Sequence, residues 1–155
     1  MNLSQILPQL FVGSCPTCSD DINQLKADHA ITAILNLQTD QDCDAYDLDG
    51  CQIEARCREL GIEVQRIPVG DFDGVDLHRN LSQCVGALDE LLRNGHTVYT
   101  HCTIGKGRSP SVVIAYLVWR QGWNLNDAIE HVVRCHPCSP HIGVIMLADS
   151  DRAAA

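Results

Sequence analysis

Thr97-Val98-Tyr99-Thr100-His101-Cys102-Thr103-Ile104-Gly105-Lys106-Gly107-Arg108-Ser109-Pro110-Ser111 is the stretch that decides the fold. Its first four residues are β-branched or aromatic and read as a buried strand. Ser111 to Gln121 is strongly apolar and reads as a central helix, closed by Gly122. A strand that runs directly into a helix is the building unit of an α/β layer fold, and ligands in such sheets bind beyond the carboxyl ends of the strands.

The turn between the two elements carries the chemistry. Gly105 and Gly107 let the backbone turn its N–H groups inward as an anion-binding nest. The helix that follows points its positive end at the same place. Arg108 adds a planar fork that fits two phosphate oxygens. This setting favours the thiolate form of Cys102, which makes it a candidate nucleophile. The competing reading is a buried, inert cysteine beside a tight turn.

Outward from this centre the chain alternates strand and helix patterns without an internal repeat. Toward the N-terminus, Leu10-Phe11-Val12 is a short strand closed by Gly13. A helix follows from Ser19 to near Asp28, then a buried strand over Ala30–Leu37. An acidic loop from Asp40 to Asp49 leads to a helix over Cys51–Leu60, stopped by Gly61, and a strand over Ile62–Pro68. Asp71-Phe72-Asp73-Gly74 is a loop. Leu77, Leu81, Val85, Leu88 and Leu92 then recur at helical spacing. Beyond the central helix, Asn124 or Asn126 caps another through Val133, and Ser139-Pro140 opens a last one. The prediction is one α/β domain over 1–155, with its core at about 6–148 and a mostly parallel central sheet flanked by helices.

Composition narrows the function. The chain is 45% apolar and 20% charged, which is ordinary for a folded domain and excludes a disordered or low-complexity chain. A net charge of −9 repels nucleic acid and anionic membranes, so neither is expected as a partner, and an anionic substrate needs a local positive pocket. No apolar run reaches membrane-span length, and the start lacks signal or transit features, so the expectation is a cytoplasmic protein. The nine cysteines are odd in number, which argues against a disulfide framework. Cys15-Pro16-Thr17-Cys18 and Cys135-His136-Pro137-Cys138 could in principle form a zinc site, with His136 or His141 as further ligands. Their wide separation favours coincidence instead, and no metal or cofactor is expected.

His101-Cys102-x-x-Gly105-x-x-Arg108-Ser109 resembles the signature of cysteine-dependent protein-tyrosine and dual-specificity phosphatases. The likeness runs from about Ile6 to Ile145 and is strongest to the plant-type glucan phosphatases of starch metabolism. Leu10-Phe11-Val12-Gly13-Ser14, Ile34-Leu35-Asn36-Leu37-Gln38, Asp71-Phe72-Asp73 and Pro137-Cys138-x-Pro140-x-x-Gly143-x-Ile145 carry that narrower match. The resemblance implies a dual-specificity phosphatase-like fold. It also implies Cys102 as nucleophile, Thr103, Ile104, Gly105, Lys106, Gly107 and Arg108 as the phosphate-binding loop, and Asp71 as general acid and then base. Ser109 matches the hydroxyl that stabilises the departing thiolate in most dual-specificity phosphatases, where glucan phosphatases typically carry Ala. Asp73 is the more structural of the two loop acids. His101 is expected to orient the loop through hydrogen bonds.

The resemblance points to phosphorylated glucan as substrate, with phosphoprotein as the alternative and a catalytically dead phosphate-binding module as a third reading. Phe72 matches the aromatic beside the acid, and Tyr46 that of the variable loop; both are expected to contact glucan. The alternative for Phe72 is that it braces the Asp71 loop by packing. On oxidation of Cys102, Cys43 and Cys135 are the possible partners, because the position some relatives use is Asn36 here. A monomer is expected.

Overall fold

A computed structural model describes residues 1–154. β1 (Leu3–Leu7) and β2 (Leu10–Gly13) form an antiparallel hairpin at one edge of a five-stranded sheet. The rest of the sheet is parallel: β2 pairs with β5 (Val98–His101), β5 with β3 (Ala33–Asn36), and β3 with β4 (Glu63–Arg66). The order β1-β2-β5-β3-β4 puts β5 at the centre, so the strand that ends in the signature is flanked on both sides.

The mostly parallel sheet agrees with the sequence expectation. The antiparallel edge strand β1 was not expected. Its burial follows no in-out alternation, so periodicity gives no signal for it. The chain reverses at Pro8-Gln9, between the two strands.

Helices cover both faces of the sheet. On one side α1 (Ser19–His29) and α3 (Gly50–Glu59) bury Ile22, Leu25 and Cys57 against Phe11, Ile34 and Tyr99. On the other, α4 (Gly74–Arg93), α5 (Arg108–Gln121), α6 (Leu125–Cys135) and α7 (Ile142–Ala154) enclose the larger core. Leu77, Leu81, Val85 and Leu88 are all buried on α4, as their spacing predicted. α5 is buried continuously from Arg108 to Leu117, which explains why its apolar run shows no polar face. Trp119 belongs to this packing: its Nε1 donates to Asp149 on α7, and Arg152 lies over its ring.

Several boundaries differ from the sequence reading: the last helix opens at Ile142 rather than at Ser139-Pro140, and the strand read over Ile62–Pro68 spans only Glu63–Arg66. The acidic stretch expected as a loop contains a helix, α2 (Asp40–Ala45), with a capping box between Thr39 and Asp42. The strand expected from Ala30 starts only at Ala33, because Ala30 closes α1 in the left-handed region at φ 55°. The central helix begins at Arg108, so the signature's last residues are its first turn.

Candidate active site

β5 and α5 meet at residues 102–107, and the backbone there is held from outside. The Cys15 N–H donates to the Thr103 carbonyl at 3.0 Å, and the Ser139 N–H to the Lys106 carbonyl at 2.8 Å. The Ser111 hydroxyl donates to the Gly107 carbonyl at 2.7 Å. In a trans peptide the C=O and the following N–H point in opposite directions. Carbonyls drawn outward therefore turn the N–H groups of Ile104, Gly107 and Arg108 to the concave side. This is the anion nest expected from the glycines, and the α5 N-terminus adds its dipole there. Gly105 is required at its position: it has φ +81°, and a Cβ there would fall on the backbone of Gly13 and Ser14.

Cys102 is buried at the floor, its Sγ 3.2 Å from Ser109 Oγ. Ser109 is enclosed and also reaches the Gly13 carbonyl at 3.4 Å. His101 is buried, and its Nδ1 is 2.9 Å from the Cys102 carbonyl. Burial and the nearby positive Arg108 outweigh that hydrogen bond and push the imidazole down to about 4, so the ring is neutral at pH 7. It orients the loop through hydrogen bonding, as expected.

Arg108 is nearly inaccessible, and its guanidinium is anchored by one end. Nη1 donates to Asp42 Oδ2 at 2.7 Å and to the Val69 carbonyl at 2.8 Å. Nη2 makes only long contacts of 3.4 Å to Asp42 Oδ1 and Thr103 Oγ1. Nε lies 3.3 Å from Asp71 Oδ1, off hydrogen-bond geometry, and is buried without a partner. The Nε/Nη2 edge is therefore the underused one.

Asp42 is the site residue that sequence reasoning missed. It is buried at the third position of α2 and accepts from the Thr39 N–H at 2.8 Å and the Thr39 hydroxyl at 3.0 Å. Burial raises its pKa, but the hydrogen bonds from Arg108 and Thr39 outweigh that and hold the carboxyl below its ordinary value. The Thr39-x-x-Asp42 spacing was a capping signal in the sequence, but nothing local pointed it at Arg108.

The two loop acids take different places. Asp71 sits at the surface against Arg108, while Asp73 caps α4 by accepting from the Asp76 N–H at 3.0 Å. Phe72 stands between them at φ +53° and is 87% exposed. That exposure corrects the reading in which it braces the loop by packing. Tyr46 is exposed at the end of α2 and shares a cleft of about 500 Å³ with Ser14, Thr103 and Ile104. Ile104 and Lys106 project outward from the loop. The expected glucan contacts thus flank the catalytic loop without touching its floor.

Cys135 lies on α6 with its Sγ 3.8 Å from His131 Nε2, and Cys43 lines a separate hollow with Asp40 and Arg66. Cys15, which the sequence reading considered only as part of a zinc-like pair, borders the loop through its N–H bond to the Thr103 carbonyl. Burial pushes its own thiol up to about 11. Among the described residues, no three His, Cys, Asp or Glu side chains are grouped to hold a metal. No helix among them is long and apolar enough to cross a membrane.

Residues 10–145 match the family described as dual specificity phosphatase, catalytic domain. The chain is 36% identical over 154 residues to the chloroplastic phosphoglucan phosphatase LSF1 of Arabidopsis thaliana, covering 99% of this chain and 26% of that one. It is 33% identical to the amyloplastic phosphoglucan phosphatase DSP4 of Castanea sativa, covering 97% of this chain and 40% of that one. With laforin of Mus musculus it shares 35% identity over 88% of its length and 44% of laforin's. The chain thus spans between a quarter and a half of these relatives. Both plant names place those proteins in plastids, which leaves the cytoplasmic expectation without support. Among solved structures, human DUSP28 superposes with a TM-score of 0.75 at 26% identity over 100% of this chain and 97% of that one. The G95A mutant form of Tk-PTP superposes at 0.81 and 23% identity over 99% and 98%, a likeness of fold.

Proposed function

The chain belongs to the dual specificity phosphatase family, and from that premise we propose that it hydrolyses phosphomonoesters on phosphorylated glucan through a phosphocysteine intermediate. The observation that carries the reaction is the arrangement of Cys102 beneath inward-turned amides, with an underused Arg108 edge beside it. The phosphate dianion enters the nest, and Arg108 Nε and Nη2 take two of its oxygens. Asp71, now beside Nε, gives way to the phosphate and stands over the ester oxygen in its protonated form. The Cys102 thiolate donates its electron pair to phosphorus as the P–O bond breaks, and the leaving alkoxide takes a proton from Asp71. The Asp71 carboxylate then takes a proton from water while the water oxygen attacks phosphorus. The S–P bond breaks, and Ser109 hydrogen-bonds the departing thiolate.

The glucan assignment rests on the relatives' names and on Phe72, an exposed aromatic beside the acid, which suits stacking against a sugar ring. Tyr46 extends that surface on the other side of the loop. A dual-specificity protein phosphatase is the second reading. It is favoured by Ser109 and by 30% identity over 131 residues to human dual specificity protein phosphatase 2. The deciding experiment compares phosphate release from phosphorylated amylopectin, a phosphotyrosyl peptide and a small aryl phosphate. Faster release from amylopectin than from the peptide is expected, and the reverse order would establish the phosphoprotein reading. In the same assays Phe72→Ala should impair the polymer by about 5–30-fold more than the aryl phosphate. Equal losses would remove the aromatic argument.

A further inference from the structure

Cys135-His136-Pro137-Cys138 has an occupation in the fold that its metal-like spacing does not suggest. His136 ends α6 as its C-cap, is fully buried, and bridges two distant elements. Its Nε2 lies 2.7 Å from the Gly105 carbonyl in the catalytic loop, and its Nδ1 lies 2.8 Å from Ser4 Oγ on β1. A carbonyl can only accept, so Nε2 carries the proton. In the neutral ring Nδ1 then accepts from the Ser4 hydroxyl, a bond that fixes the orientation in which the ring reaches Gly105.

We infer that His136 is a positioning residue for phosphate binding: it holds the Gly105 carbonyl outward, which turns the Lys106 N–H toward the phosphate, while Ser4 fixes the ring orientation that does so. The trans peptide makes the two directions inseparable. Rotation of this one peptide would replace a donor facing the anion with a negative carbonyl oxygen. Gly105 has no side chain to limit rotation of this peptide and sits at φ +81°. The neighbouring Thr103 and Lys106 carbonyls are held by backbone N–H groups, which side-chain replacement does not remove. Among the described contacts, the Gly105 carbonyl depends on His136 alone. β1 thereby acquires a role: it carries the hydroxyl that sets the imidazole.

The inference rests on the phosphatase reading, and three variants separate the two. His136→Leu removes the donor, His136→Gln restores an N–H at similar reach, and Ser4→Ala removes only the hydroxyl that orients the ring. Each is measured for inhibition by inorganic phosphate, for kcat and KM with a small aryl phosphate, and for melting temperature. His136→Leu should weaken phosphate inhibition and raise KM by about 10-fold or more, the scale of a lost buried hydrogen bond. His136→Gln should return to within about 3-fold of the parent on the same scale. Ser4→Ala should fall between them with a near-parental melting temperature. A merely structural His136 would lower the melting temperature and the folded fraction but leave phosphate affinity unchanged. Unchanged phosphate inhibition in folded His136→Leu overturns the inference, as does equal loss in the Leu and Gln variants. If His136→Leu does not fold, unchanged inhibition in Ser4→Ala overturns it. An unmodified protein that fails to hydrolyse the aryl phosphate defeats the phosphatase reading instead.

Discussion

Two aspartates face one arginine and a third stands two residues along the loop from Asp71, and each is assigned a different job by its surroundings. Asp42 is buried and charge-paired to Arg108, Asp71 faces the same guanidinium from the surface, and Asp73 is spent on a helix cap. Asp71→Asn should cut turnover of a sugar or alkyl phosphate by about 10²–10⁴-fold, the range for loss of a general acid. It should matter less for an aryl phosphate, whose leaving group needs little protonation, and the ratio of the two rates checks this. Asp42→Asn should behave differently. It leaves the buried guanidinium with only the more distant Asp71 opposite it and should lower stability by about 3 kcal/mol, the low end for a broken buried pair because Asp71 remains and the Asp42 carboxylate lies just beneath the surface. Inorganic phosphate should restore part of that loss in thermal unfolding, because the dianion supplies the missing charge. Cys102→Ser should abolish turnover while phosphate protection persists, since the nest and Arg108 remain.

At the scale of elements, the short α2 matters beyond its six residues. Its capping box fixes the Asp42 carboxylate with the same Thr39 groups that start the helix. Thr39→Ala should therefore cost about 1 kcal/mol of stability as a lost cap. It should also weaken phosphate inhibition, because Asp42 then holds Arg108 less firmly. Asp73→Asn is the contrast. Asparagine caps helices nearly as well, so α4 and its loop should stay in place and both substrates should be hydrolysed close to the parental rate. A larger loss from Asp73→Asn than from Asp71→Asn would exchange their roles.

For the whole molecule, the pH dependence of stability reports the buried site. His101 is held neutral, with its pKa lowered to about 4 by burial, whereas an unfolded histidine titrates near 6.5. Between those values the unfolded chain binds a proton that the folded one refuses. Stability should thus be full above about pH 6.5 and decline as the pH falls toward 4. Asp42 acts lower down. Its folded pKa is depressed, so its contribution is present above the ordinary carboxylate range near 4 and is lost as the pH falls below it. Urea unfolding at a series of pH values should show both slopes. His101→Asn should flatten the upper one and Asp42→Asn the lower.

The sequence by itself determined the alternation of strand and helix, the mostly parallel sheet and the turn that carries Cys102 and Arg108; the nucleophile, phosphate loop and acid-bearing loop proposed above were read from it too. These are legible because each is written in contiguous residues: an apolar period, a glycine pair, a Cys and an Arg six positions apart on one turn. What lies outside that reach is set by contacts between remote segments. Asp42 meets Arg108 across 66 positions, His136 meets Gly105 across 31, and Ser4 meets His136 across 132. A buried donor or acceptor must find a partner wherever the fold brings one, and local sequence does not record which distant side chain that is. The same reason hid β1, a strand whose place is fixed by β2 and by the helix packed over it rather than by any pattern of its own. Chemistry written within one turn of chain could be read from the sequence, while the groups that hold that turn in shape were decided only by tertiary structure.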